Sequence, residues 1–152
     1  MNLAIWDIES SSASTDFGSI IEIGGVLVDE NFKEKDRFNL RCRLPEGEIF
    51  QAMALIVNKT SIKKLTQANL SHYQMLAEVE KIFKKWSPAI FLGWSNIGFD
   101  DEMIRKEFFK GIRYPYLTNA APNKRHDGIN IARAAYAVDP NILEVEFNEK
   151  KN

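Results

Sequence analysis

The sequence predicts an α/β fold built on a mixed sheet. Strand-like apolar runs open the chain, and helical spacing takes over in its middle. A short apolar run, Ala89–Leu92, then interrupts the helices. The first strand is Leu3–Glu9. Asn2, Ala4, Trp6 and Ile8 point one way, and Leu3, Ile5, Asp7 and Glu9 the other. Both faces begin apolar, so this strand is expected to be central and covered on both sides, with Trp6 in the core. Ile20–Val28 is a second run, closed by the turn residues Asp29, Glu30 and Asn31. Asp36–Leu44 alternates strictly, with Phe38, Leu40, Cys42 and Leu44 opposite Arg37, Asn39, Arg41 and Arg43. Short turns between the three suggest an antiparallel meander.

Ser61–Thr66 reads as a short helix capped by Thr60 or Ser61. Met75, Leu76, Val79, Ile82, Phe83 and Trp86 recur at helical steps, so an amphipathic helix runs up to Pro88. Ala89–Leu92 is the buried strand that follows. Asp101–Lys110 reads as a helix closed by Gly111. Phe108 and Phe109 are adjacent on it, so one of them is expected to face outward. Asp127 caps a last helix that runs to about Val138 and stops at Pro140, and His126 is its entry residue.

At 152 residues the chain fits a single domain, 1–152. Seventeen aromatics in an apolar fraction of 45% exclude whole-chain disorder. The net charge of −1 excludes a global basic field for nucleic acid, so binding would need a local patch or a metal. Lys63-Lys64, Lys84-Lys85, Arg105-Lys106 and Lys124-Arg125 are short basic pairs, each also readable as a solvated helix face. Cys42 has no partner for an internal disulfide, which fits a reducing, cytoplasmic interior. No apolar stretch is long enough for a membrane span.

Asp7 and Glu9 project from one strand face at a C-terminal strand end, where open α/β sheets bind ligands. Two carboxylates that close repel unless a cation or proton intervenes. Hard cations such as Mg²⁺ take one or two protein carboxylates plus substrate phosphate. A polar strand end facing water is the plainer reading of the same spacing. Asp100, in Asn96-Ile97-Gly98-Phe99-Asp100, would stand beside Asp7 if Ala89–Leu92 pairs in parallel with the first strand. Its plainer reading is a helix N-cap.

Trp6-Asp7-Ile8-Glu9 followed by Ile20–Val26 resembles the opening of the four-carboxylate (DEDD, DnaQ-like) 3′→5′ exonuclease superfamily. Asn96-x-x-Phe99-Asp100 is similar to its second motif. Gly93–Glu102 and Arg125–Ala137 resemble the exonuclease domain of the exodeoxyribonuclease I branch. The resemblance implies a ribonuclease H-like mixed sheet flanked by helices. It implies a two-metal enzyme, with Mg²⁺ or Mn²⁺ held by Asp7, Glu9 and Asp100, and Asp7 between the ions. The implied activity releases 5′-mononucleotides from single-stranded DNA, as a DNA-repair nuclease would. An oligoribonuclease-like RNA enzyme is the alternative from the same fold.

Ser10 falls near the terminal nucleotide by this resemblance, although it also reads as a turn residue. Phe17, in the loop after the first motif, and Trp94, beside the second, are candidate base-stacking residues, and Asn96 is a further nucleic-acid candidate.

The superfamily's third motif is a His or Tyr a few residues before a fourth Asp. Neither His72 nor His126 has an Asp four or five residues on, and Tyr136 is followed at that step by Pro140. The expectation is therefore a C-terminally incomplete domain, its closing helix missing or supplied by a further segment or a partner chain. Weak or absent activity is expected, and a non-catalytic metal- or nucleic-acid-binding remnant is the third reading.

Overall fold

The computed structural model describes residues 1–142. Its elements are β1 (Asn2–Ser10), β2 (Ile20–Val28), β3 (Glu34–Arg41), α1 (Ala52–Val57), α2 (Ile62–Thr66), α3 (His72–Trp86), β4 (Ala89–Gly93), α4 (Asp100–Lys110), β5 (Lys124–Asp127) and α5 (Gly128–Val138). The strands form one mixed sheet in the order β3-β2-β1-β4-β5. β1, β2 and β3 pair antiparallel, as the meander predicts. β4 pairs in parallel with β1, and β5 with β4. Among the described residues no helix is long and apolar enough to cross a membrane.

The register puts Ala4, Trp6 and Ile8 of β1 on the same face as Ile23 and Leu27 of β2. α3 and α4 cover that face. α3 begins at a capping box, in which Ser71 accepts from the Gln74 N–H and the Gln74 side chain accepts from the Ser71 N–H. It ends before Pro88, whose ring disfavours helix in the preceding residue. Its stripe of Met75, Leu76, Val79, Phe83 and Trp86 is buried. Phe83 is the hub of an aromatic cluster, with ring centroids 5.5 Å from Trp6 and 4.9 Å from Phe91. Asp36 ties β3 to the end of α3 by accepting from Trp86 Nε1 and Lys85 Nζ, each at 2.9 Å.

Several sequence expectations need correction. β1 is central but is not covered on both sides among the described residues: Ala4, Trp6 and Ile8 are buried while Ile5 is 42% exposed. The reason is that α3 and α4 share one face, and α5 buries none of its residues. β3 ends at Arg41 rather than Leu44, because Cys42 leaves the ladder to bridge Leu70. α1 was not expected. Its apolar residues bury nothing and no side chain caps it, so it has neither periodicity nor a start signal. β5 was also missed, and it takes His126 as a strand residue. Phe108 is buried and Phe109 is 74% exposed, as adjacency on one helix requires.

Phe83→Ala should lower stability by about 3–5 kcal/mol, since a fully buried aromatic hub leaves a cavity that the sheet cannot collapse. Urea unfolding checks this. A loss below about 1 kcal/mol would show that the cluster is not the core's keystone.

Candidate active site

The parallel pairing of β1 and β4 runs in register from Asn2↔Ala89 to Ile5↔Leu92. The two strands therefore end side by side. Asp7 and Glu9 lie just past the paired stretch of β1, and the loop after β4 leads into α4 over the same edge. Asp100 is the first residue of α4. The N-cap is Phe99, with no side-chain cap bond, so the capping reading of Asp100 fails. Its carboxylate turns to the sheet instead, where Oδ1 accepts from the Ile8 N–H at 3.2 Å.

Asp100 is buried beside Asp7. Burial, then the charge of Asp7, push its carboxyl up to about 7, against the pull of the Ile8 N–H. Glu9 is raised as well, by burial, Asp7 and Glu22, while Arg41 opposes the rise. Asp7 and Asp100 thus stand as two neighbouring acids, with no basic side chain acting on Asp100 among the described residues. Among the described residues no three His, Cys, Asp or Glu side chains converge closely enough to hold one ion together. The donor chemistry of the pair still fits a hard divalent cation, because hard oxygen donors and unrelieved repulsion are what such an ion satisfies. Glu9 stands one alternate position along from Asp7 on the same strand face.

The loop that delivers Asp100 is built from buried polar bonds. Asn96 donates from Nδ2 to Asp101 at 3.2 Å, and its carbonyl accepts from the Asp101 N–H at 3.0 Å. Asp101 also accepts from Thr118 Oγ1 at 3.2 Å and faces Arg125 at 3.5 Å. Burial pushes the Asp101 carboxyl up to about 6, against Arg125 and Thr118. Asp127 caps α5 through the Ile129 N–H at 3.0 Å, as expected, and also accepts from the Ser95 N–H at 2.9 Å. One carboxylate therefore starts α5 and clamps the β4–α4 loop.

Three adjoining cavities lie along Asp7 and Glu9, while Asp100 lines none of them. One of about 290 Å³ is lined by Ile8, Glu9, Ser10, Met53, Val57 and Phe99. A second of about 360 Å³ is lined by Asp7, Glu9, Glu22, Asn39, Arg41 and Asn58. A third of about 500 Å³ runs past Ile5, Asp7, Gly24 and Trp94. Glu9 is shared by the first two, and Asp7 by the second and third.

The other sequence candidates separate on this geometry. Trp94 is 66% exposed and lines the third cavity. Phe17 is 86% exposed on the loop after β1, which Lys106 ties to α4 through Asp16 at 2.6 Å. Ser10 lines the first cavity, but its hydroxyl donates to the Ser12 carbonyl at 2.7 Å, in keeping with its turn reading. Asn96 is buried, at 1% exposure, and braces the loop from inside. Sequence reasoning missed Met53 and Val57, whose only signal was an apolar run between polar segments. It also missed Glu22 and Arg41, which only strand register brings beside Glu9.

The five-stranded mixed sheet with its flanking helices has the fold seen in exonuclease I structures. Over nearly its whole length the chain is distantly similar to the exonuclease domain of exodeoxyribonuclease I. The enzyme of Buchnera aphidicola subsp. Schizaphis graminum is 22% identical over 98% of this chain and 31% of its own length. The crystal structure of Escherichia coli exonuclease I in complex with a dT13 oligonucleotide superimposes with a TM-score of 0.88. It is 19% identical, over 97% of this chain and 32% of that one. The zinc-bound form of the E. coli enzyme with single-stranded DNA gives the same TM-score of 0.88, identity of 19% and coverage of 97% and 32%. The chain thus spans about a third of the length of the relatives it matches. No family model matches it.

Asp100→Asn keeps an acceptor for the Ile8 N–H and removes the buried charge. A carboxyl raised in the fold costs stability where it is ionised, above about 7, and costs nothing below its ordinary 3.8. In EDTA the substitution should therefore raise the melting temperature more near pH 8 than near pH 5, by about 2–4 °C per kcal/mol relieved. A fall at pH 8, or an equal gain at both pH values, in thermal melts would contradict the buried-pair reading.

Proposed function

We propose that this chain is the exonuclease domain of a 3′→5′ exonuclease that removes mononucleotides from single-stranded DNA. One observation carries the reading: Asp7 and Asp100 meet at the ends of two parallel strands, beside a cavity of about 290 Å³ with an apolar wall. The volume suits one terminal nucleoside, held between Met53 and Val57 on one side and Phe99 on the other. Similarity to enzymes solved with oligonucleotides supports the substrate class.

Asp7, Glu9 and Asp100 would hold Mg²⁺ or Mn²⁺, which when bound supplies charge neutralisation and an activated water. The chain's own residues place the strand end. The apolar side chains of α1 offer a surface for the terminal sugar and base to pack on, and the acidic pair fixes the edge at which the phosphodiester lies. Trp94 and Phe17 offer stacking surfaces for bases further along, each worth about 1–3 kcal/mol.

Neither histidine lines the cavities that hold Asp7 and Glu9: His72 Nε2 lies 3.3 Å from Glu107, and His126 stands in β5, two strands from β1 and level with Ile5. General bases typically contribute about 10²–10⁴-fold, so slow turnover by this chain is the expected consequence. Binding without cleavage is the second reading, favoured by the same observation.

Incubation with 3′-labelled single-stranded DNA and Mg²⁺ or Mn²⁺ tests the proposal. Slow release of 5′-mononucleotides, abolished by Asp7→Ala, is the expected result. Strand binding without release supports the second reading. Release that survives Asp7→Ala would overturn the site.

A further inference from the structure

We propose that Arg41, held in place by Glu22, binds a phosphate oxygen of the nucleotide at the strand's 3′ end. The inference rests on the exonuclease reading above and adds the contact that recognises that nucleotide's phosphate.

Two rows of side chains cross the sheet beside the acidic pair. Register aligns Glu9 with Glu22 and Glu22 with Arg41, and aligns Asp7 with Gly24 and Gly24 with Asn39. All of these residues line the second cavity. In the first row, Nε of Arg41 donates to Oε2 of Glu22 at 2.8 Å, and Nη2 donates to the same oxygen. Both bonds fall on one oxygen, so the pair is not closed as a two-oxygen fork. Nη1 has no hydrogen-bond partner among the described residues, and the side chain is 34% exposed. The guanidinium is thus pinned along one edge and open along another, beside Glu9.

The second row leaves space for a ligand. A Cβ at Gly25 would come within 3.0 Å of the Ile5 carbonyl, so packing demands glycine there. A Cβ at Gly24 would meet nothing nearer than the Phe38 carbonyl at 3.6 Å, an ordinary contact. The chain has a glycine at 24 without needing one for packing, and the result is an open floor between Asp7 and Asn39. A cation, two asparagine amides (Asn39 and Asn58) and a bare floor adjoin the cavity assigned to the terminal nucleoside. Asp7, Glu9 and Glu22 line the same cavity, so a phosphate fits it with a divalent cation on the acids, its free oxygens then facing Arg41 and the amides. A planar guanidinium suits a phosphate better than an ammonium.

Calorimetric titration with the mononucleotide dTMP and with thymidine, in Mg²⁺, tests this. Neither compound is cleaved, so the readout is independent of turnover. Wild type is expected to bind dTMP more tightly than thymidine. Arg41→Ala should weaken dTMP about 10-fold or more and leave thymidine unchanged, and Arg41→Lys should recover part of the loss. Because Arg41→Ala leaves Glu22 uncompensated, the double variant Glu22→Gln/Arg41→Gln provides a neutral pair of similar volume, with the same loss expected. Undiminished dTMP binding in these variants, against a wild type that prefers dTMP, overturns the role of Arg41 and leaves the exonuclease reading standing. A wild type that does not distinguish dTMP from thymidine removes the phosphate site and counts against the exonuclease reading as well.

Discussion

The parallel pairing of β1 with β4 is the constraint on which the site depends. Antiparallel neighbours end at opposite edges of a sheet, whereas parallel neighbours end together. That pairing brings the end of β1, with Asp7 and Glu9, against the loop that leaves β4 and returns as α4. Asp100 then meets Asp7 although 92 residues separate Asp100 from its partner Ile8. The aromatic cluster around Phe83 holds the geometry, because it packs α3 simultaneously on β1, β3 and β4 through Trp6, Phe38 and Phe91.

Electrostatics at this edge runs against folding. Burial and Asp7 both raise Asp100, burial raises Asp101, and Glu9 is raised by burial and two acidic neighbours. A structure selected for stability alone would replace such groups with apolar ones. Around the pair, Asp101 and Asp127 each tie backbone or side-chain donors from separate elements, while Asn96 Oδ1 is buried without a hydrogen-bond partner among the described residues. A buried acid raised by an acidic neighbour at a sheet edge is what singles out Asp7 and Asp100 as a candidate site.

Much of this was legible in the sequence. Alternation in β3 and helical periodicity in α3 report burial directly, so both elements were readable. Strand spacing put Asp7 and Glu9 on one face, but spacing alone favoured a polar strand end and a helix cap for Asp100, and it was the family resemblance of the two motifs that made all three candidates. Other features were not legible. α1 buries nothing, so no periodicity announces it, yet Met53 and Val57 form a cavity wall. Glu22 and Arg41 looked like the polar sides of their strands, and only register places them beside Glu9. Asn96 was a nucleic-acid candidate by its place in the second motif, and the bonds that shape that loop turn it inward. The second, open face of β1 could not be read either, since apolar residues at Leu3 and Ile5 imply cover without saying what provides it.

The central claim is that Asp7 and Asp100 form a divalent-cation site. Titration of Mn²⁺ followed by electron paramagnetic resonance, comparing wild type with Asp7→Asn and Asp100→Asn, tests it most directly. Saturable binding by wild type that either substitution removes is the result the account predicts. Equal Mn²⁺ binding by all three proteins would contradict it.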